Sequence, residues 1–552
     1  MHAVSASNAT CRCFPGDPCW PTLSQWNAFN DTLCGKLAAT TPIAAVCHDD
    51  RFASYSAQTC DELRNVWFFP ETHLASSSSA MAALFTNNSC NPFLPPNVSC
   101  TLGNYVTYAV KATDASDFQK TIDFTRQHNI RLVIRNTGHD YNGKSTGAGA
   151  VAIWTMHMKS IELKTDYNSS YYSGRAIKVG AGVSVSEAYE FADMHNGLVV
   201  GGNCQTVGLA GGLTQGGGHS PLASKFGLAS DQVLEWEVVT GTGQLLTATP
   251  NRNSDLYWAL CGGGGGTYGA VVSMTAKLHP AMIVSASNLT FAYEVDGSNA
   301  DQFYDVIQTL IESLPDLVDV GATVYWTIVG NTFSVFPATA PGLSKAELDV
   351  LFKPTLSKLE EVGIPYRYYS QEFSTFLQSY QAMNIPSNVS DSLLAGRMLP
   401  RSLIENDIGD LISAIRSIAE AGVVFVGVSL NVANVVSSPS AVAANPYWRQ
   451  TLVVAVFGTF FNYTDRDANY RNQDFLTDDI LPELERLTPN GAAYLNEANF
   501  QQPDFQSVLY GRNYNRLDAI KGKYDPDDIF YALTAVGSDR WIQKKDGRLC
   551  MT

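Results

Sequence analysis

Arg135-Asn-Thr-Gly-His-Asp-Tyr-Asn-Gly-Lys-Ser145 decides the fold when it is read with a second stretch, Gly201-Gly-Asn-Cys-Gln-Thr-Val-Gly208. Each sets a reactive side chain, His139 or Cys204, in a glycine-flanked turn. Each turn follows an apolar run that reads as a strand: Arg131-Leu-Val-Ile-Arg135 before the first, Leu198-Val-Val200 before the second. Glycines at 138, 143, 147 and 149, then at 201, 202, 208, 211, 212 and 216 to 218, leave backbone N–H groups bare. Such loops adopt positive φ and approach a ligand closely, and a diphosphate is the ligand best matched to them.

On these residues the chain resembles the vanillyl-alcohol-oxidase/p-cresol-methylhydroxylase (PCMH-type) flavoproteins, in their berberine-bridge-enzyme-like branch. The resemblance implies FAD tethered twice, through His139 to the flavin 8α-methyl and through Cys204 to flavin C6. It further implies cofactor contacts at Arg135, Asn136, Thr137, Gly138, Asp140, Tyr141, Gly143 and Ser145 in the first loop. In the second they fall at Gly202, Thr206, Val207, Gly208, Gly211, Gly212, Gly216, Gly217, Gly218, His219 and Leu222, and beyond it at Val271 and Val272. No Gly-x-Gly-x-x-Gly opens a helix with an acidic residue roughly 20 positions on, which argues against a nicotinamide dehydrogenase. Taken alone, the Gly262 to Gly266 run reads as a flexible turn.

The fold expected is α+β: a two-domain PCMH-type FAD-binding fold whose α+β substrate domain is an antiparallel sheet covered by helices. At 552 residues two domains are the default. Residues 1–100 read as a disulfide-rich N-terminal region, 101–282 as the FAD-binding domain, 283–500 as the substrate domain, and 501–552 as a segment returning to the FAD domain. A hydrophobic content of 45% with 16% charged residues describes a soluble globular protein. The net charge of −16 argues against nucleic acid or an anionic membrane as partner. No apolar stretch is long enough to span a bilayer. A monomer is the expected state.

Cys11, Cys13, Cys19, Cys34, Cys47, Cys60, Cys90 and Cys100 crowd the first 100 residues, an even number that fits a disulfide-stapled region. Their spacing lacks the paired clusters of a zinc site, and no metal is expected. Cys261 and Cys550 stand open as a long-range bridge or two separate thiols. Sequons at Asn8, Asn30, Asn87, Asn97, Asn168, Asn288, Asn388 and Asn462 agree with secretion and N-glycans. Met1-His-Ala-Val has neither a basic n-region nor an apolar h-region, so a removed signal peptide is expected. The stretch Cys11-Arg-Cys-Phe-Pro-Gly-Asp-Pro-Cys-Trp-Pro21 resembles the N-terminus of secreted fungal isoamyl-alcohol-oxidase-like members.

Ser116-x-x-Gln119 and Ser184-x-x-Glu187 read as capping boxes that open helices before the two strands. Residues 232 to 246 read as a hairpin turned at Gly241 to Gly243, and Ser76 to Ser79 as an exposed loop. In the substrate domain, Val324–Ile328 and Thr332–Phe336 form a hairpin about Gly330-Asn331, with further strands over Val423–Val432 and Leu452–Phe460. Ile404, Ile408, Leu411, Ile412, Ile415 and Ile418 recur at helical spacing up to Gly422. A helix over Ser344–Val362 is kinked or broken at Pro354.

For the catalytic groups, Ala493-Tyr-Leu-Asn-Glu-Ala498 resembles the family's Tyr-x-Asn motif at Tyr494 and Asn496, which alternation places on one strand face. Where many plant members continue Tyr-Arg-Asp, this chain has Glu497-Ala-Asn, so Glu497 is a second candidate base. A tyrosine base needs a pKa lowered from about 10 by a cation or hydrogen bond, for which Arg397 and Arg401 are candidates. Val207 resembles the family's oxygen gate, where valine admits dioxygen and leucine obstructs it. The expected activity is a secreted FAD-dependent oxidase that takes an alcohol, carbohydrate or phenolic hydroxyl and dioxygen to hydrogen peroxide. A tailoring oxidase forming C–C or C–O bonds in a secondary metabolite is the alternative, as is a catalytically silent binding protein on the flavin fold.

Overall fold

The computed structural model describes residues 11–294, 297–386, 388–433 and 438–552; the Asn8 sequon and Met1-His-Ala-Val lie outside the described residues. Two sheets carry the first half of the chain. In the smaller, Leu132–Arg135 and Tyr108–Lys111 flank Val151–Trp154 in parallel, and Leu37–Ala39 adds antiparallel to Tyr108–Lys111. Leu132–Arg135 and Val151–Trp154 are almost wholly buried and read accordingly as near-continuous apolar runs. The larger sheet is antiparallel, in the order Ile161–Asn168, Ser173–Gly180, Ala270–Lys277, Val233–Val239, Leu245–Ala248. The last two strands are the hairpin expected about Gly241 to Gly243.

A seven-stranded antiparallel sheet occupies residues 284 to 460. Helices Ala300–Asp319, Lys345–Val362 and Ile408–Glu420 cover one of its faces. Strand alternation separates two cores here. Val324, Trp326 and Ile328 point into the helix-covered core, while Tyr325, between them, joins the core of the glycine-loop half. One strand thus delivers a tyrosine to the core of the glycine-loop half while its neighbours hold the helices.

Several expectations are corrected. The helix expected from Ser116 spans Ala115–Gln127 and is capped by Asp114, whose carboxylate accepts from the N–H of Ser116 and Asp117; an Asp two positions earlier outcompetes the serine. Ser184 and Glu187 do form the capping box of Val185–Met194. Only Gly197–Leu198 of the run before Cys204 is strand. Lys345–Val362 continues unbroken through Pro354, and the isoleucine repeat divides at Asp407 into Arg401–Asn406 and Ile408–Glu420. Ser76, Ser78 and Ser79 are buried, because Ser76 Oγ accepts from two backbone N–H groups and its carbonyl from Arg135.

The cysteines are corrected as well. Cys13–Cys19, Cys47–Cys60 and Cys90–Cys100 pair within the first 100 residues, but Cys11 reaches Cys550, so the bridge joins both ends of the chain. Cys34, Cys204 and Cys261 are free thiols, and Cys261 does not pair with Cys550. Among the described residues the one group that could hold a metal, Cys13, Asp17 and Cys19, has both thiols in a disulfide. No described helix is long and apolar enough to cross a membrane.

Candidate active site

The strand Leu132–Arg135 ends at the His139 loop. Gly138 sits at φ 84°, a conformation that glycine alone adopts without strain, and the guanidinium of Arg135 fills the space a side chain there would need. Asp140 folds the rest of the loop back on itself, accepting from the N–H of Lys144 (2.5 Å) and of Ser145 (3.1 Å). The Cys204 loop meets this one: Thr206 Oγ1 lies 2.6 Å from His139 Nε2, and Cys204 Sγ 4.0 Å from the same nitrogen. Burial, with His73 and Arg135 adding to it, pushes the His139 pKa down to about 3, so the imidazole is neutral.

A cavity opens beside these loops. It is lined by Asn136, Thr137, Gly138, His139, Asp140, Tyr141 and Ser145 of the first loop, and by Val207, Gly208, Gly211 and Gly212 of the second, with Val271 from the sheet. Gly212 presents bare backbone to open space, and a side chain on Gly265 would stand 2.9 Å from the Gly212 Cα. The turn over Leu209–Leu213 is broken at Gly211, whose backbone (φ −81°, ψ −147°) is not helical. The Gly262 to Gly266 run is therefore not a free turn: Gly265 and Gly266 form cavity wall, and Gln215 accepts at its carbonyl from Gly262 and Gly264.

Tyr494, Asn496 and Glu497 line the same cavity. They lie on a turn closed by the Glu497 N–H on the Tyr494 carbonyl (2.9 Å) rather than on the expected strand. The turn still unites them, since Asn496 Nδ2 donates to Tyr494 Oη (2.7 Å) and to the Gly212 carbonyl (2.8 Å). Burial raises the Tyr494 pKa far above its ordinary value, with the nearby Glu497 carboxylate adding to the effect. The two expected cations are engaged elsewhere: Arg401 pairs with Asp319 and Glu405, and Arg397 Nε donates to Thr488.

Other expected cofactor residues are displaced from the cavity wall. The buried Arg135 guanidinium donates to the carbonyls of Ser76 and His73, so it braces the loop from behind. Gly143 packs on the Phe85 ring, Gly216 abuts Asn496, Gly217 nears Ala444 and Trp448, and Gly218 nears Ala229 and the Leu213 carbonyl. Gly202 packs against Leu213, while Leu222 and Val272 are core residues. His219 is bound to Glu497 and Tyr325. Cys204 and Thr206 stand at the margin, against His139.

Sequence reasoning missed Lys144, Gln215, Gly265, Gly266 and the segment Phe530-Tyr531-Ala532, all on the cavity wall. Burial lowers the Lys144 pKa to about 8, with Asp140 opposing the shift. The signal for the last segment lay in Asp525: it pairs with the buried Lys521 and accepts from the N–H of Ile529 and Phe530 (both 2.9 Å). Phe530 is thereby set beside Leu132 as a parallel bridge.

The residues present fit a flavin dinucleotide. Bare backbone at Gly212 suits a diphosphate, the walls of Leu132, Ile134, Val271 and Phe530 suit an aromatic ring system, and Asn136 Oδ1 is buried without a partner among the described residues. Comparison with known proteins agrees. Residues 106–249 match the family described as FAD binding domain, and residues 493–537 that described as Berberine and berberine like. The FAD-linked oxidoreductase sor8 of Hypocrea jecorina is 43% identical over 547 residues, 99% of this chain and 94% of its own. The crystal structure of the VAO-type flavoprotein MtVAO615 from Myceliophthora thermophila C1 shares 38% identity over 98% of this chain and all of its own (100%), with a TM-score of 0.93. Glucooligosaccharide oxidase from Acremonium strictum, whose structure concerns a 6-S-cysteinyl, 8α-N1-histidyl FAD, shares the fold: TM-score 0.64, 18% identity, 78% of this chain and 92% of that one. The chain belongs to the VAO/PCMH flavoproteins of the berberine-like branch and is an FAD-dependent oxidoreductase.

Proposed function

We propose that this protein is a secreted oxidase that holds FAD through both His139 and Cys204 and oxidises a hydroxyl-bearing substrate with dioxygen, releasing hydrogen peroxide. The observation that carries the reading is the convergence of the two side chains: Cys204 Sγ lies 4.0 Å from His139 Nε2, beside the cavity that Tyr494, Asn496 and Glu497 also line. Thr206 engages Nε2 of His139, which leaves Nδ1 as the nitrogen to carry the bond, and the neutral ring has the lone pair that bond requires. Tyr380 Oη and Asn384 Nδ2 both donate to the Asn203 carbonyl, at 2.7 and 2.8 Å, and so hold the Cys204 loop from the substrate domain.

When bound, FAD supplies the redox step, accepting hydride and passing electrons to dioxygen. The chain supplies a shaped and largely apolar cavity, a valine at 207 where oxygen would enter, and polar groups at 494 to 497 for the hydroxyl. The disulfides, with exposed sequon asparagines at Asn97, Asn168 and Asn388, support secretion and glycosylation. Substrate class is tested by measuring peroxide under air with benzyl alcohol, 3-methylbutan-1-ol, glucose and guaiacol, beside anaerobic bleaching of the flavin. Peroxide with at least one supports the oxidase; bleaching without peroxide makes the protein a dehydrogenase, and neither makes it a binding protein.

A further inference from the structure

We infer that Glu497 accepts the proton of the substrate hydroxyl and that His219 and Tyr325 are positioning residues that hold it for that task. The inference rests on the oxidase reading above. Three separate parts of the fold bring these groups together: the turn after Tyr494, the glycine loop, and the central strand Thr323–Val329, whose alternation aims Tyr325 away from Trp326. Glu497 Oε1 accepts from His219 Nε2 at 2.9 Å, and His219 Nδ1 lies 3.2 Å from Tyr325 Oη.

Both contacts are satisfied when the Tyr325 hydroxyl donates to Nδ1 and the Nε2 hydrogen is donated to Oε1. The second carboxylate oxygen, Oε2, is buried and has no hydrogen-bond partner among the described residues, on a side chain that lines the cavity. A buried carboxylate oxygen without a donor is unfavourable, and a substrate hydroxyl is the donor that would complete it. The titratable groups facing Glu497 are His219, Tyr325, Tyr494 and Tyr141. Tyr494 is a poor rival, since its buried phenol oxygen already accepts from Asn496.

The step assigned to the chain is a proton transfer. The substrate O–H bond breaks and the proton goes to Oε2; the electron pair left on oxygen would close the new C=O bond, with FAD, when bound, as the acceptor of the carbon-bound hydrogen and its pair. That hydride and the proton held on Glu497 account for both hydrogens of the peroxide formed from dioxygen.

The test uses the purified holoenzyme, with the fastest of benzyl alcohol, 3-methylbutan-1-ol and glucose, and follows anaerobic flavin reduction against pH by stopped flow. Glu497→Gln is expected to slow reduction by about 10²- to 10⁴-fold and to abolish the acid limb of the profile. His219→Ala removes a hydrogen bond to the charged carboxylate, so the acid limb moves to higher pH; His219→Gln, which keeps a donor, restores it in part, and Tyr325→Phe moves it less. A purely structural role for His219 would lower flavin content or rate at every pH with the limb in place, and that result overturns the assignment. So does an E497Q enzyme with full flavin content that keeps the wild-type limb. Failure of the oxidase reading shows differently, as a wild-type flavin that none of the three substrates reduces.

Discussion

A side chain on Gly216 would collide with the carboxamide of Asn496, so the glycine loop and the Tyr494 turn are fitted to one another at the backbone. Asn496 in turn holds Tyr494 Oη and the Gly212 carbonyl. Gly216→Ala is expected to displace Asn496 and destabilise the protein by about 1–3 kcal/mol through overpacking. Urea unfolding checks the value. Truncating Asn496 to Ala in the same chain should return part of the loss, because the two effects are coupled; strict additivity would show that the clash is not the cause.

The C-terminal return depends on a buried ion pair. The Lys521 ammonium, 1% exposed, pairs with the fully buried Asp525 and donates to the carbonyls of Thr267 (3.0 Å) and Phe530 (2.6 Å). Lys521→Met leaves a buried carboxylate unpaired, and a loss of about 3–5 kcal/mol is expected. Phe530 is a cavity wall, so thermal melting should reveal the loss and fluorescence of released flavin should accompany it.

Stability should fall on the acid side through His73, which is fully buried, and His279, which is partly so. Burial lowers both His73 and His279 to about 4. His73 is satisfied as a neutral ring between Ser79 Oγ (2.8 Å) and the Trp67 carbonyl (2.7 Å). The unfolded chain takes up these protons below about pH 6.5 and the folded chain does not, so the stabilisation is complete above that pH and declines toward pH 4. Melting temperature against pH measures the slope. His73→Gln should flatten it across that window; an unchanged slope would assign the acid sensitivity to other groups.

Val207 lines the cavity three residues beyond Cys204. Val207→Leu should slow reoxidation of the reduced enzyme by dioxygen while leaving anaerobic reduction by substrate in place. Equal losses in both half-reactions would show that the position shapes the cavity as a whole and does not gate oxygen.

The His139 and Cys204 loops were legible because their chemistry is local: glycines, a reactive side chain and a preceding apolar run adjoin in the chain. The hairpin about Gly330-Asn331 and the Ser184 capping box were legible for the same reason. What depended on distance was not. Arg135 reads as a ligand contact, and that its guanidinium is held by the carbonyls of Ser76 and His73 appears only once they are folded beneath the loop. The Cys11–Cys550 bridge spans a separation of 539 residues that no spacing rule reaches. His219 reads as part of the cofactor loop, and its engagement with Glu497 appears only once the Tyr494 turn and the Thr323–Val329 strand are packed against it. Ser76 to Ser79 show the reverse error, since polar composition suggested exposure where internal hydrogen bonds permit burial.

The central claim, a flavin held by both His139 and Cys204, is tested most directly by acid precipitation of the purified protein, followed by the visible spectrum of the washed and redissolved pellet. Flavin absorbance is expected to stay with the protein, and peptide mapping to find it on the His139 and Cys204 peptides, with either link lost singly in His139→Ala or Cys204→Ala. A colourless pellet with free flavin in the supernatant would contradict it.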